Sequence, residues 1–287
     1  MSAPEISRVD QILQRALPPL ERALETVLPR SLVLGLIEFL VFGIKQAWAC
    51  LFGGLLIAAI MLTHQFYPSD AALSRYDFLF LYAVGVQVLF LITRLERPQE
   101  ALVIFIFHTV GTAMEVFKTQ AGSWTYPEAS LLRIGEVPLF SGFMYAAVGS
   151  YFARVSRVFD FKWQAYPRLI FTFVLAAGIY INFFSHHFIV DIRYGLFALT
   201  GLLFWRTRVH YRVWRWQHQM PLLVGFFLVS LFIWFAENIA TFAQIWLYPD
   251  QADGWQIVSL QKLGSWYLLM IVSWVLVTLV HRPKRAS

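Results

Sequence analysis

Charge is scarce in this chain: only 14% of its 287 residues are Asp, Glu, Lys or Arg, and it holds a single cysteine. So little charge excludes an ordinary soluble domain of this size. One thiol, Cys50, excludes an intrachain disulfide and leaves the redox compartment open; set in an apolar run, it reads as a small buried side chain. The N-terminal stretch has no compact apolar core followed by a small-residue cleavage site, so no cleavable signal is expected. Although the net charge is +6, the basic residues fall between apolar runs rather than on a separate basic domain, which excludes a nucleic-acid partner. We find no internal repeat and no low-complexity tract.

What the chain has in abundance is apolar surface, with 59% hydrophobic and 17% aromatic residues. A helical crossing needs roughly 20 mainly apolar residues. The pattern predicts an all-α, polytopic transmembrane helical bundle of about eight spans, over residues 46–66, 76–95, 99–117, 137–155, 167–186, 188–205, 220–246 and 264–281. The fifth and sixth runs are joined by a tight hairpin. Residues 31–287 form one transmembrane domain, and residues 1–30 form an amphipathic segment at the cytoplasmic surface. In that segment Ile6, Leu13, Leu17, Leu20 and Leu24 share a face, and a bend is expected at Pro18 and Pro19. Ser31 to Gly43 reads as a short interfacial helix, or as the start of one long tilted helix with the first span.

Alternate connections differ in basic residues. One set holds Arg94, Arg97, Arg154, Arg157, Lys162, Arg168, Arg206, Arg208, Arg212 and Arg215, with Arg282, Lys284 and Arg285 at the C-terminus. The positive-inside rule then puts both termini in the cytoplasm of a bacterial inner membrane. In the fourth span Gly142, Ala146 and Ser150 form a small-residue stripe that allows close helix approach. The oligomeric state stays open.

Ionisable residues inside hydrocarbon are costly and mark function. His108 falls near the middle of the third span and Glu115 about 10 Å further outward. The two share a face, and Lys118 is one turn beyond, near enough to pair with Glu115. His186, His187 and Asp191 bracket the turn after the fifth span, and Asn182 precedes them. Glu237 lies about 26 Å along the seventh span. The loop from Lys118 to Glu128, with Gly122, Trp124, Tyr126 and Pro127, is shaped by its residues and could lid a cavity. We take Glu115, Glu237 and His108 as candidate catalytic groups and Lys118, Trp124, Tyr126, Asn182 and Asn238 as candidate substrate-binding groups. His186, His187 and Asp191 are candidate ligands for a divalent metal, since imidazole and carboxylate suit zinc or iron.

The stretch His108 to Glu115, the loop Gly122-Ser-Trp-Thr-Tyr126-Pro and the return Glu136 to Tyr145 resemble a bacterial membrane family catalogued as domain of unknown function 817. Ser185-His186-His187 and Ala236-Glu237-Asn238 extend the resemblance, which runs from about Ser31 onward. A fainter similarity is to membrane hydratases of carotenoid biosynthesis, through Glu115, Gly122 with Tyr126, and Pro138. It implies a polyisoprenoid or lipid substrate. Three functions follow. The first is an intramembrane enzyme doing acid–base work on an apolar small molecule from the outer leaflet. The others are a proton-coupled transporter or binding protein, and a scaffold in which the polar groups only fix packing. Membrane lipids are partners in each.

Overall fold

The computed structural model describes residues 8–280 and 282–284; Ile6, His281 and Arg285 lie outside the described residues. Among these, the chain forms α1 (Arg8–Glu25), α2 (Arg30–Ala49), α3 (Leu51–Phe66), α4 (Arg75–Ile92) and α5 (Pro98–Gln120). A two-stranded ribbon follows, β1 (Arg133–Ile134) with β2 (Val137–Pro138), then α6 (Ser141–Val158), β3 (Lys162–Gln164), α7 (Leu169–Ser185) and α8 (Arg193–Phe204). The hairpin of β4 (Arg208–Arg212) and β5 (Gln217–Pro221) leads into α9 (Leu222–Phe242) and α10 (Leu260–Val280). The strands amend the all-α expectation: β3, β4 and β5 make a small antiparallel sheet at one end of a helical bundle.

Local chemistry sets the helix starts. Pro98 opens α5, and the Glu100 carboxylate accepts the Arg97 backbone N–H at 2.9 Å, so an orphan donor is satisfied before the apolar run begins. At α4, Ser74 Oγ accepts the Asp77 N–H at 3.2 Å.

Among the described residues five helices, α2, α4, α5, α9 and α10, are long and apolar enough to cross a membrane by length and composition; α3, α7 and α8 are apolar but shorter. The outward faces carry Leu62, Phe105, Val174, Leu202 and Phe232, all exposed. A helix this apolar on its outer face suits hydrocarbon rather than water, and the protein is membrane-associated. The expected first span, 46–66, straddles a joint. Helical bonding continues on both sides of Cys50, from its N–H to Gln46 O at 2.9 Å and from Gly54 N–H to its carbonyl at 2.8 Å, yet α2 and α3 are separate helices. Cys50 at that joint is exposed rather than buried.

α1 runs unbroken through Pro18 and Pro19, so the helix does not end at the expected bend, and it buries Val9, Leu13 and Leu17. Leu20 faces outward. Three polar locks join the helices at this end. Lys45 Nζ meets Asp10 at 2.8 Å and the Val213 carbonyl at 2.6 Å. Glu38 accepts the backbone N–H groups of Trp214, Arg215 and Trp216. Arg154 pairs with Glu96 at 2.8 Å, both almost wholly buried. The sheet receives the C-terminal segment here as well, through Trp163 N–H to Lys284 O at 2.8 Å.

The closest helix pair is α5 with α6. A Cβ on Gly111 would sit 2.5 Å from the Tyr145 ring, and one on Gly142 would overlap the His108 ring. The small-residue stripe of α6 is therefore used inside the chain: Ala146 and Ser150 are buried, and Ser150 Oγ donates to Glu96 at 2.7 Å.

Candidate functional site

At the end of the bundle opposite the sheet, α5 and α9 each bring one glutamate to a shared cavity of about 1560 Å³. Both side chains are buried. Glu115 accepts three hydrogen bonds: Tyr126 Oη at 2.6 Å and Trp124 Nε1 at 2.7 Å on Oε2, and Tyr145 Oη at 2.7 Å on Oε1. Glu237 accepts Tyr248 Oη at 2.5 Å on Oε1 and Trp266 Nε1 at 2.9 Å on Oε2. The two groups interlock, since the Tyr145 and Trp266 rings lie 6.2 Å apart and Trp124 and Tyr248 meet edge to face at 6.0 Å. Burial first, and then the glutamate beside each, pushes the loop phenols Tyr126 and Tyr248 well above their ordinary range. Both remain O–H donors at physiological pH.

The donors are held by a pairing of two loops. Thr125 and Leu247 exchange backbone hydrogen bonds, N–H to O at 3.0 and 2.9 Å, in an antiparallel bridge. Residues two apart on an extended chain share a face, so Trp124 with Tyr126, and Trp246 with Tyr248, turn to the same side.

These loops carry an internal repeat, which corrects the expectation of none. Glu115, Thr119, Ala121, Trp124, Tyr126, Pro127 and Glu128 recur at the same spacing as Glu237, Thr241, Ala243, Trp246, Tyr248, Pro249 and Asp250. Each tyrosine stands 11 residues after the glutamate it bonds. Gly122 and Gln244, in register, both take positive φ, +69° and +56°, to end their helices. Outside the loops, His64-Gln65-Phe66 at the end of α3 matches His186-His187-Phe188 after α7, and Arg75-Tyr76 opening α4 matches Arg193-Tyr194 opening α8. These matches align α3–α6 with α7–α10 as two related four-helix units, each supplying one of the two glutamates.

Sequence-predicted residues divide. Glu115, Glu237, Lys118, Trp124, Asn182, His186, His187 and Asp191 all line the cavity, and Tyr126 bonds Glu115 from behind it. His108 does not reach the cavity lining. It packs against Phe143 at 4.6 Å and against Gly142, on the same helix α6 that brings Tyr145 to Glu115 but one turn away from it. Seven residues along a straight helix return to nearly the same face but not to the same neighbours. Asn238 is a clasp: it donates to the Trp234 carbonyl at 2.8 Å and accepts the Val258 N–H at 2.9 Å. Lys118 does not pair with Glu115; its Nζ lies 2.8 Å from His187 Nε2 and 3.4 Å from His186 Nε2. Tyr145, Tyr248, Trp266 and Lys262 complete the site and escaped sequence reasoning. The repeated spacing was the signal that could have found Tyr248.

The proposed metal ligands do not converge. Among the described residues no three His, Cys, Asp or Glu side chains are placed to hold one ion. Lys118 takes the imidazoles, and Asp191 is committed to Arg193 Nε at 2.5 Å and to Asn182 at 3.0 Å. Partial burial opposes the charged form of Asp191, but bonds from Asn182 and Arg193 outweigh it and hold the carboxyl below its ordinary range. Burial, then the charges of Lys118 and His186, push the His187 imidazole below its ordinary value.

The protein is 44% identical over 246 residues to the uncharacterized protein YoaT of Bacillus subtilis (strain 168), covering 86% of this chain and 92% of that protein. No solved structure gives a significant match. Residues 38–274 match the family model described as protein of unknown function (DUF817), and the chain belongs to that family.

Proposed function

We propose that this is a multi-pass enzyme of the bacterial cytoplasmic membrane, with Glu115 and Glu237 handling protons on an apolar lipid or isoprenoid. One observation carries the reading: two duplicated motifs deliver two buried carboxyls to one end of a largely apolar cavity, and every side-chain donor bonded to them is a neutral Tyr or Trp. One carboxylic acid in such surroundings can give a proton to one alkene carbon, leaving positive charge on the other, while the partner carboxylate takes a proton from the saturated carbon next to that cationic carbon. The site then regains its starting charge and the double bond has moved. The fixed phenol and indole donors stabilise whichever carboxylate forms, without reorganisation. Beyond the carboxyls the lining includes Ile57, Met144, Val148, Phe226, Val229 and Ile233, which suits an unsaturated chain.

In this reading α3–α10 make eight crossings, and α1 with α2 lies at the cytoplasmic surface. Four helices per unit keep the two copies parallel. The basic connections gather at the end with the sheet, which supports cytoplasmic termini and an outer-leaflet site.

The test is to reconstitute the full chain with bacterial lipid extract in D₂O and search the lipids by mass spectrometry for deuterium. Wild type should label an unsaturated lipid, and folded Glu115→Gln and Glu237→Gln should not. No labelling by wild type, with both variants merely less stable, would make the cluster structural. Proton-coupled transport is favoured by a different feature: the cavity lining runs from Glu237 to Gln46 and Phe39, nearly the length of the bundle. Its signature is proton-gradient-dependent flux in proteoliposomes without chemical change.

A further inference from the structure

The two four-helix units differ at the cavity end: Arg193 and Lys118 line the cavity, whereas Arg75 does not. In the first unit Arg75 is buried. Its Nη2 donates to the Ala243 carbonyl at 2.9 Å, its Nε to Thr63 Oγ1 at 3.2 Å, and its Nη1 pairs with Glu128 at 2.6 Å. The counterpart, Arg193, turns back onto Asp191 instead. Lys118, only 3% exposed, lines the same cavity, where the second unit has Ala240.

Lys118 is a buried cation without an anion. Its near partners are the two imidazoles and the Phe183 ring at 4.2 Å, and among the described residues no carboxylate lies within ion-pair distance. Lys262 is half-buried: it sits 4.0 Å over the Tyr248 ring and 5.5 Å over Trp124, and among the described residues no carboxylate lies within ion-pair distance of it, although the Glu237 carboxyl is near enough to act on it. Asp191 is taken by Arg193, and Glu115 and Glu237 are satisfied by their aromatic donors. A cation removed from water without a counter-charge is costly, and both lysines line the same cavity as the Asp191-paired Arg193.

The surroundings of this mouth are those of a bilayer interface. The turn beside it exposes Phe188 (77%) and Val190 (82%), together with Ile189, Ile192 and Tyr194. Apolar groups bared next to Lys, Arg and His place the cluster at the boundary between chains and headgroups.

We propose that Lys118, Lys262, Arg193 and the His186–His187 pair bind the phosphate head of an amphiphile whose apolar chain fills the cavity. The substrate class is then a phosphorylated long-chain lipid or isoprenoid rather than a neutral hydrocarbon. That assignment rests on the acid–base reading above; the binding itself does not. A phosphate supplies the missing negative charge and enough acceptor oxygens for several charge-assisted hydrogen bonds. The cavity exceeds the roughly 300–1,000 Å³ of ordinary small-molecule pockets, leaving room for a long tail.

The test uses the full chain in non-ionic detergent and three probes: dodecyl phosphate, dodecanol with the same tail, and inorganic phosphate with the same head. Binding is read by native mass spectrometry and tryptophan fluorescence. Dodecyl phosphate should saturate at one per chain, and the other two should bind at least about tenfold more weakly. Lys118→Gln and Lys262→Gln should each weaken dodecyl phosphate by about tenfold. If Lys118→Gln does not fold, Lys262→Gln and Arg193→Gln carry the test. Equal binding of dodecanol would show that the head is not recognised, and equal binding of phosphate that the tail is not. Unchanged affinity in the folded variants would place the site elsewhere. Any of these overturns the proposal. Retained dodecyl phosphate binding with no deuterium exchange into any lipid would instead remove the acid–base reading and leave the binding site standing.

Discussion

Replacing Tyr248 with phenylalanine removes one hydroxyl and leaves the ring in place, and the duplicated motif supplies its own control in Tyr126→Phe. Tyr248 Oη is the one side-chain donor to Glu237 Oε1 among the described residues, whereas Glu115 Oε2 keeps Trp124 Nε1 when Tyr126 Oη is lost. Leaving a buried acceptor unsatisfied costs about 1–3 kcal/mol, and removing one of two donors on the same oxygen costs the smaller net worth of a hydrogen bond, about 1 kcal/mol. We expect Tyr248→Phe to destabilise by about 2 kcal/mol and Tyr126→Phe by about half that. The assay is reversible unfolding of purified protein in mixed detergent–SDS micelles, followed by circular dichroism. A double-mutant cycle with Glu237→Gln should show a coupling of about 1–2 kcal/mol. Equal losses in the two tyrosine variants, or an additive cycle, would refute the reasoning that these donors are matched to the carboxyls.

Other consequences can be measured in the same preparations. Gly111→Ala forces a Cβ to within 2.5 Å of the Tyr145 ring, so it should cost about 1–3 kcal/mol and disturb the Glu115 site, as a changed tryptophan emission spectrum would report. Arg154→Met strands Glu96 in the core and should cost about 3–5 kcal/mol, with Glu96→Gln added to Arg154→Met recovering part of it. The Asp191 carboxyl titrates below its ordinary range. Its stabilising effect is therefore present above that range and is lost as pH falls through the folded value. Asp191→Asn should lower the unfolding midpoint at pH 7 and match wild type in strong acid; a gap independent of pH would contradict this. With Cys50 replaced by serine, a cysteine at Asp253 should react with an impermeant maleimide on intact cells and one at Arg212 should not, if the termini are cytoplasmic.

Much of the architecture was legible because hydrocarbon is a simple solvent. Runs of apolar residues, with basic residues between alternate pairs, located α4, α5, α9 and α10 to within a few residues and picked out the end where Glu115, Glu237 and the histidines gather. A separate helix before the first span was legible at Ser31 to Gly43, but its end at Ala49 was not, since both sides of the Cys50 joint are equally apolar; Glu38 and Lys45 of α2 are held by the turn between β4 and β5, which hydropathy does not show. The strands also escaped. They are two to five residues long, too short for alternation to stand out in a chain that is apolar almost throughout.

The sequence by itself determined that this chain is membrane-associated and helical, that it belongs to its family, and that Glu115 and Glu237 fall inside apolar runs. In principle it also held the duplicated spacing from glutamate to tyrosine, which is a matter of counting. Only the tertiary structure decided which polar groups meet. His108 and Glu115 lie seven residues apart on one helix but reach different neighbours, while Tyr145 and Trp266 come from distant helices to bond the two carboxyls. Hydropathy reports how each residue partitions between water and hydrocarbon; the partner of a buried hydrogen-bonding group depends on helix rotation and close approach, which are set by packing across the bundle.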